Sequence, residues 1–371
     1  MGTISNRLII ICSMCQILAV LSSPGICSAA NVSAVFVFGD SLVEAGNNYY
    51  INTIAKPGYP NGIDFAKGSP SGRYTNARTV ADIIGKSCNS FVNISQEELG
   101  FENYSPPYLA PNTTGDVILK GVNYASSGAG ILTITGSIFG ERVCMDKQVS
   151  YFAKTRQDII LRLGATAGRI LLREALYLLA IGANDILFQQ ISTTQDITQY
   201  LDDVLSKFKS QLITLYNLDA RKIIVTGSPP VGCIPFERDV RSSPDSCVSS
   251  MNDLAKLYNS RLKSLLQKLT TNLPGSTFVY VDNFAILEDI MDNYRSYGFE
   301  SVDSACCRVI GRRGGLVPCG SLSRVCPDRT KFVFWDPFHP TESANLIGAK
   351  HALDGGLQYV SPMNIRQLAN A

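Results

Sequence analysis

Only two of the 371 residues are histidines, His339 and His351, so any histidine general base must be one of them. They lie twelve positions apart, which excludes the HExxH zinc chemistry that needs its pair four apart. His339 stands in the run Trp335-Asp336-Pro337-Phe338-His339-Pro340-Thr341-Glu342. Asp336 and His339 each precede a proline, which biases both away from helical backbone. Pro340 suits the first position of a following helix, and Glu342 in its first turn complements the helix dipole. An acid and a base therefore lie three residues apart on a stiff loop, close enough for the carboxylate to hold the imidazole. An acidic residue near a histidine in a turn is common, and this one gains weight from the scarcity of histidine. His351 belongs to a helical run, 343–353, and reads as a surface residue. The hydroxyl that such a base would activate is Ser41, in Gly39-Asp40-Ser41 at the exit of the first apolar run. Serine with histidine is the pairing of nucleophilic acyl transfer.

Other patterns of nucleophile or cofactor binding are missing. No G-x-S-x-G occurs, so the usual α/β-hydrolase elbow is absent. No G-x-G-x-x-G follows a strand, and Gly85-Lys86 lacks the glycine at position 80 that a P-loop requires. The S-x-x-K runs at Ser206 and Ser260 fall in amphipathic helices and read as exposed face. No metal or organic cofactor is expected.

The elements that must position these residues follow from periodicity. Short β-branched or aromatic runs at 34–38, 122–125, 175–181, 222–226 and 277–281 read as strands, and 196–215 and 248–269 carry apolar residues three and four apart, as helices do. Continuous apolar strands such as 176–181 suit a parallel sheet covered on both faces. The alternation predicts a doubly wound α/β fold, and the absence of a Pro/Ser-rich linker or repeat predicts one domain. In such sheets the ligand crevice lies beyond the carboxyl ends of the strands. Those ends run into Gly39-Asp40-Ser41, Ser126-Ser127-Gly128, Gly182-Ala183-Asn184-Asp185 and Gly227-Ser228-Pro229-Pro230. Each alone is ordinary turn chemistry; together they converge on one crevice.

Residues 1–30 carry one charge, Arg7, then an apolar run, 8–21, then small residues up to Ala30. The pattern predicts a secretory signal peptide and a mature domain spanning 31–371, since the run is shorter than the roughly 20 residues of a membrane span. Eight cysteines remain after residue 30, an even number that favours disulfides in an exported chain. Cys233 and Cys247 close one natural loop, and Cys306, Cys307, Cys319 and Cys326 form a second cluster. A zinc site in that cluster is the weaker reading, because adjacent cysteines do not have CxxC spacing. N-x-S/T sequons lie at Asn31, Asn93, Asn103 and Asn112. With 33 Lys+Arg against 31 Asp+Glu and only 17% charged residues, the chain has no basic surface for nucleic acid.

Gly39-Asp40-Ser41-Leu42 with Gly46-Asn47-Asn48, Gly121-Val122-Asn123-Tyr124-Ala125-Ser126, Gly182-Ala183-Asn184-Asp185 and Asp336-Pro337-Phe338-His339-Pro340-Thr341-Glu342 form four ordered blocks. Together they resemble the plant GDSL esterase/lipase family of SGNH hydrolases over nearly the whole of 31–371. Gly72-Arg73-Tyr74, Gly227-Ser228-Pro229-Pro230-Val231-Gly232-Cys233 and Gly314-Gly315-Leu316-Val317-Pro318-Cys319 fit as well. The resemblance implies a flavodoxin-like α/β/α sandwich with a five-stranded, mostly parallel sheet. It implies Ser41 as nucleophile, His339 as general base and then acid, and Asp336 as the group that fixes the imidazole. It also implies an oxyanion hole of the Ser41 and Gly128 backbone amides with the side-chain amide of Asn184.

This chain departs from the family pattern in places. Ser126-Ser127-Gly128-Ala129-Gly130 stands where two adjacent glycines are usual, 86–95 reads as an insertion, and Cys88 and Cys144 are extra cysteines. Glu44 replaces the more usual aspartate, a change expected to be harmless. The leading expectation is a secreted, monomeric serine esterase or lipase acting on a small-molecule or lipid ester, with no nucleic-acid partner and no membrane segment once 1–30 is removed. An acyltransferase using the same acyl-enzyme, or a silent wall or glycan-binding protein of the same fold, are the alternatives.

Overall fold

The computed structural model describes residues 32–65, 71–89, 104–189, 194–241 and 246–371, with backbone alone at 86–89, 194 and 195. The signal segment, the sequons at Asn31, Asn93 and Asn103, the Cys88 side chain and most of 86–95 lie outside the described residues.

Four apolar runs make the centre of the sheet: β1 (Val35–Gly39), β2 (Leu176–Ala180), β3 (Lys222–Thr226) and β4 (Thr277–Val281). Four short strands follow, β5 (Ser301–Ala305), β6 (Cys307–Arg308), β7 (Arg324–Val325) and β8 (Phe332–Phe334), then β9 (Val360–Ser361). The main sheet has the order β1-β2-β3-β4-β9, parallel except for the antiparallel β4–β9 pair. Its register sets Val35 opposite Leu176, Leu176 opposite Lys222 and Lys222 opposite Thr277, so the carboxyl ends of all four strands emerge on one side.

The expected strand at 122–125 is not the fifth strand. It runs beside the outer edge of β1, where Val37 N donates to Val122 O and Tyr124 N to Val37 O at 2.9 and 2.8 Å, and it forms only isolated bridges. The Asn123 side chain interrupts the ladder, since its Oδ1 accepts the Ala125 amide and its Nδ2 donates to Val43 O. β9 takes the fifth place, and two residues between turns were too short to stand out. The edge segment still matters for the site. The chain leaves β1 to one side for 122–125 and returns on the other side as β2, which opens a crevice at the end of β1.

Helices cover both faces. Strand side chains alternate, so Tyr177, Leu179, Ile223, Val225, Phe278 and Tyr280 face one layer, built on the helices Met145–Leu163, Thr194–Asn217 and Ser249–Asn272. The second of these buries Leu201, Val204, Phe208, Leu212 and Leu215, the stripe its sequence period predicts, and its ends extend the expected 196–215 by two residues each way. Phe36, Phe38, Tyr124, Phe152 and Tyr177 pack ring on ring beneath β1 with centroids 4.9 to 6.2 Å apart. Each such buried ring contributes about 1.5–3 kcal/mol of transfer free energy, enough to hold an edge strand that ends in a functional turn. Leu178, Ala180 and Ile224 face the second layer, where the helices Val80–Asn89, Asn283–Asp292, Glu342–Asp354 and Ile365–Asn370 lie.

Candidate active site

β1 ends at Gly39, and only glycine fits there. Its φ is +155°, and a Cβ would sit 2.3 Å from Ala180 O. Gln148, from the helix Met145–Leu163, grips this glycine from both sides, accepting its amide and donating to its carbonyl at 2.8 Å each. The chain then turns, with Asp40 Oδ1 accepting the Leu42 amide at 3.0 Å, and the turn presents Ser41 to the crevice.

The second contribution comes from the far end of the chain. After β8, Asp336 Oδ1 accepts the amides of both Phe338 and His339 at 2.8 Å, which folds the Asp336–His339 segment into a tight loop. The two proline-adjacent positions therefore do form a stiff acid–base loop. Pro340 differs from expectation: the N-cap is Thr341, whose Oγ1 accepts from Ala344 N, so the helix Glu342–Asp354 begins two residues further on and Pro340 precedes the cap. Trp335, fully buried, anchors the loop from below through Nε1 to Asn61 Oδ1 at 2.9 Å and through packing on Cys306 and Cys307. The cysteines pair as Cys306–Cys326 and Cys307–Cys319, and Cys233 pairs with Cys247. Buried Cys144 forms no disulfide among the described residues.

These two loops meet. His339 Nε2 lies 2.7 Å from Ser41 Oγ, and His339 Nδ1 lies 2.8 Å from both oxygens of Asp336. Asp336 and His339 are 3% and 6% exposed, so the imidazole is screened from bulk water except towards Ser41. The Tyr74 ring packs against His339 with centroids 5.0 Å apart. His351 is elsewhere. It is half-buried in the last turn of its helix, with Nε2 3.2 Å from Tyr297 Oη and 3.5 Å from Asp289 Oδ2, so it is a packing residue rather than the surface residue expected.

Two further expected residues flank the hydroxyl. Gly128 has φ +75° and closes against Phe139, and neither its amide nor that of Ser41 donates to another described residue. Asn184 lies in the first turn of the short helix Ala183–Leu187, and its Nδ2 donates one hydrogen to Ala129 O at 2.9 Å. An amide nitrogen carries two hydrogens, so one is left over from the Ala129 bond in a residue that lines the cleft.

A family description, GDSL-like Lipase/Acylhydrolase, matches residues 35–352. Among relatives, the chain is 48% identical to GDSL esterase/lipase At4g16230 of Arabidopsis thaliana over 96% of its own length and 97% of the relative's. It is 44% identical to GDSL esterase/lipase At3g50400 of the same plant, over 91% of each. The chain belongs to the GDSL-like lipase/acylhydrolase family. As a GDSL hydrolase it is an enzyme of carboxylic ester hydrolysis, and its sheet with helices on both faces is the fold that the sequence blocks implied.

The cleft of this GDSL hydrolase, about 190 Å³, is mostly apolar. Leu42, Ile54, Phe139, Leu187, Phe188 and Phe338 line it around the polar group. Two buried carboxylates, Glu44 and Asp40, stand beside it. Glu44 is wholly buried, and its oxygens accept the Asn48 and Ser127 amides at 2.7 Å each. Burial pushes its carboxyl up to about 8, against the pull of those two amides. Asp40 is pushed up to about 7 by burial, which outweighs the Leu42 amide and nearby His339. Glu44 ties the Ser41 turn to the Ser127-Gly128 turn, so the position expected to tolerate its replacement has a structural task. Its burial could not be read from the sequence, because an acidic side chain is ordinarily exposed.

Proposed function

We propose that this hydrolase is an exported serine esterase that cleaves its ester through an acyl-enzyme on Ser41. The observation that carries the reading is the 2.7 Å contact between Ser41 Oγ and His339 Nε2, with Nδ1 held by Asp336. His339 Nε2 takes the hydroxyl proton as Oγ forms its bond to the carbonyl carbon. The carbonyl oxygen becomes an oxyanion, which the amides of Ser41 and Gly128 and the second hydrogen of Asn184 Nδ2 stabilise. When the tetrahedral species collapses, the bond to the alkoxy oxygen breaks and the imidazolium protonates it, releasing the alcohol. Water then repeats the sequence against the acyl-enzyme, with His339 as base, and frees the acid and Ser41. Asp336 keeps the Nδ1 proton in place and stabilises the transient imidazolium.

Export is the second part of the proposal, with residues 1–30 removed as a signal peptide and 31–371 acting as one domain. The three disulfides support an oxidising compartment, and among the described residues no helix is long and apolar enough to cross a membrane. A fluorophosphonate should label folded protein at one residue, Ser41, and the Ser41→Ala variant should not react. Absence of labelling in folded wild-type protein would remove the acyl-enzyme and leave the silent-binder alternative.

A further inference from the structure

A second cavity lies on the other face of the sheet. It has a volume of about 80 Å³ and no charged lining residue. Leu178, Ile224 and Val281 of the strands form one wall, and Ile286, Ile290 and Gly348 of the covering helices form the opposite one. Leu42, Pro229, Ile234 and Phe338 line both this cavity and the cleft at Ser41, so the two spaces adjoin across these residues. Two of the four, Leu42 and Phe338, directly follow Ser41 and precede His339 in the chain, and both are part-exposed rather than locked in the core.

From this continuity we propose that the cavity is the acyl-chain subsite, and that the enzyme prefers esters of medium-chain fatty acids. The proposal rests on Ser41 as the nucleophile. With the ester carbonyl at Ser41, the first carbons of the acyl chain lie against the apolar cleft wall. The chain then passes between Leu42 and Phe338, displacing those side chains, and enters the space beneath the sheet. An apolar chain suits a void of this kind, whose lining is mainly apolar, with Thr226, Asn283 and Asn345 as its polar side chains. A water-sized group needs about 10–15 Å³ of such space, so the cavity takes about five to eight of them, each close to a methylene in girth. With the carbons in the cleft, acyl chains of about eight to ten carbons fill it.

Gly348 supports the inference. It sits inside the helix Glu342–Asp354, where glycine is less favourable than alanine, and a Cβ there would meet only Ile286 Cγ2 at 3.8 Å. Space is thus left open at a position where local helix stability favours filling it.

The test is a series of p-nitrophenyl esters from acetate to hexadecanoate, with wild-type protein, Gly348→Leu and the milder Gly348→Ala, each checked for folding by thermal unfolding. For the wild type, kcat/KM should rise about four-fold per added methylene up to about eight to ten carbons and then fall. Gly348→Leu should lower the octanoate-to-acetate ratio by about ten-fold or more, and Gly348→Ala by less. If the wild type cleaves acetate but gains nothing with chain length, or the folded variants keep its ratio, the subsite is refuted while the Ser41 reading stands. If the wild type cleaves no ester in the series, both readings fall together. Should Gly348→Leu not fold, the wild-type profile and Gly348→Ala decide.

Discussion

A serine hydroxyl is a poor nucleophile until a base removes its proton, so in the proposed mechanism the two short contacts of His339 carry the chemistry. Ser41→Ala and His339→Ala should each lower turnover by about 10⁵–10⁶-fold, and the double variant should lose little more, because the residues act as one unit. Asp336→Asn should cost about 10⁴-fold by leaving the wrong tautomer. His351→Ala should keep normal turnover; loss of activity there with activity retained in His339→Ala would reverse the assignment. Asn184 donates one amide hydrogen to Ala129 O, and in the proposed mechanism the other serves the oxyanion. Asn184→Ala should lower kcat by about 10²–10³-fold with KM little changed. Steady-state kinetics beside a melting curve separates the two roles, since a variant that melts early yet keeps its specific activity would assign Asn184 to the turn alone.

Loops rather than strands hold the site, and the elements around them explain how loops can be rigid enough. The acid–base loop stands on Trp335, and Trp335 stands on two disulfides that close 12- and 20-residue separations. Closing a loop of about 15 residues stabilises by roughly 3 kcal/mol on chain-entropy arithmetic. The paired change Cys307→Ser with Cys319→Ser should therefore lower the melting temperature clearly, and activity should fall before unfolding, because Cys319 also lines the cleft. Non-reducing peptide mapping that found Cys306 bonded to Cys307 or Cys319 would contradict this arrangement. On the opposite side, Glu44, Asn48 and Ser126 form a buried polar web, with Asn48 Oδ1 accepting from Ser126 Oγ at 2.6 Å. It joins the Ser41 turn to the Gly128 turn and so keeps the two uncommitted amides together. Glu44→Gln would set an amide NH₂ against a backbone N–H, costing about 1–3 kcal/mol for the unsatisfied donors, and kcat should fall more than KM changes.

For the molecule as a whole, the buried carboxylates dictate how stability follows pH. Glu44 and Asp40 titrate higher in the folded protein, near 8 and 7, than in an unfolded chain. Between the unfolded and folded values the native state holds protons that the unfolded state has released, so stability falls as pH rises through that range. Their contribution is fully present below about pH 4 and is lost by about pH 8. The melting temperature should therefore decline from pH 5 to pH 9, and the decline should be shallower in Glu44→Gln. An equal slope in the variant would show that Glu44 does not set it. Asn112, the one sequon asparagine among the described residues, is exposed and open to glycosylation on an exported chain, which a mass shift on glycosidase treatment would register.

Features that depend on neighbours along the chain were readable in advance. Strand runs at 222–226 and 277–281 recur with the same ends, because β-branched and aromatic side chains buried on both faces leave little choice of conformation. The helical stripe of Leu201 to Leu215 likewise follows from its period, and the stiff turn before Glu342 from prolines at 337 and 340. The four blocks named the family, and with it the candidate site. Only the tertiary structure decided the rest, because contact between distant residues is set by how layers pack. It brings Ser41 to 2.7 Å from a histidine 298 positions away, chooses among the pairings of four clustered cysteines, and sets 122–125 beside β1 as an interrupted edge. It also buries Asp40 and Glu44 and leaves a void behind Leu42, since burial and empty space belong to the packed chain and to no single segment of it.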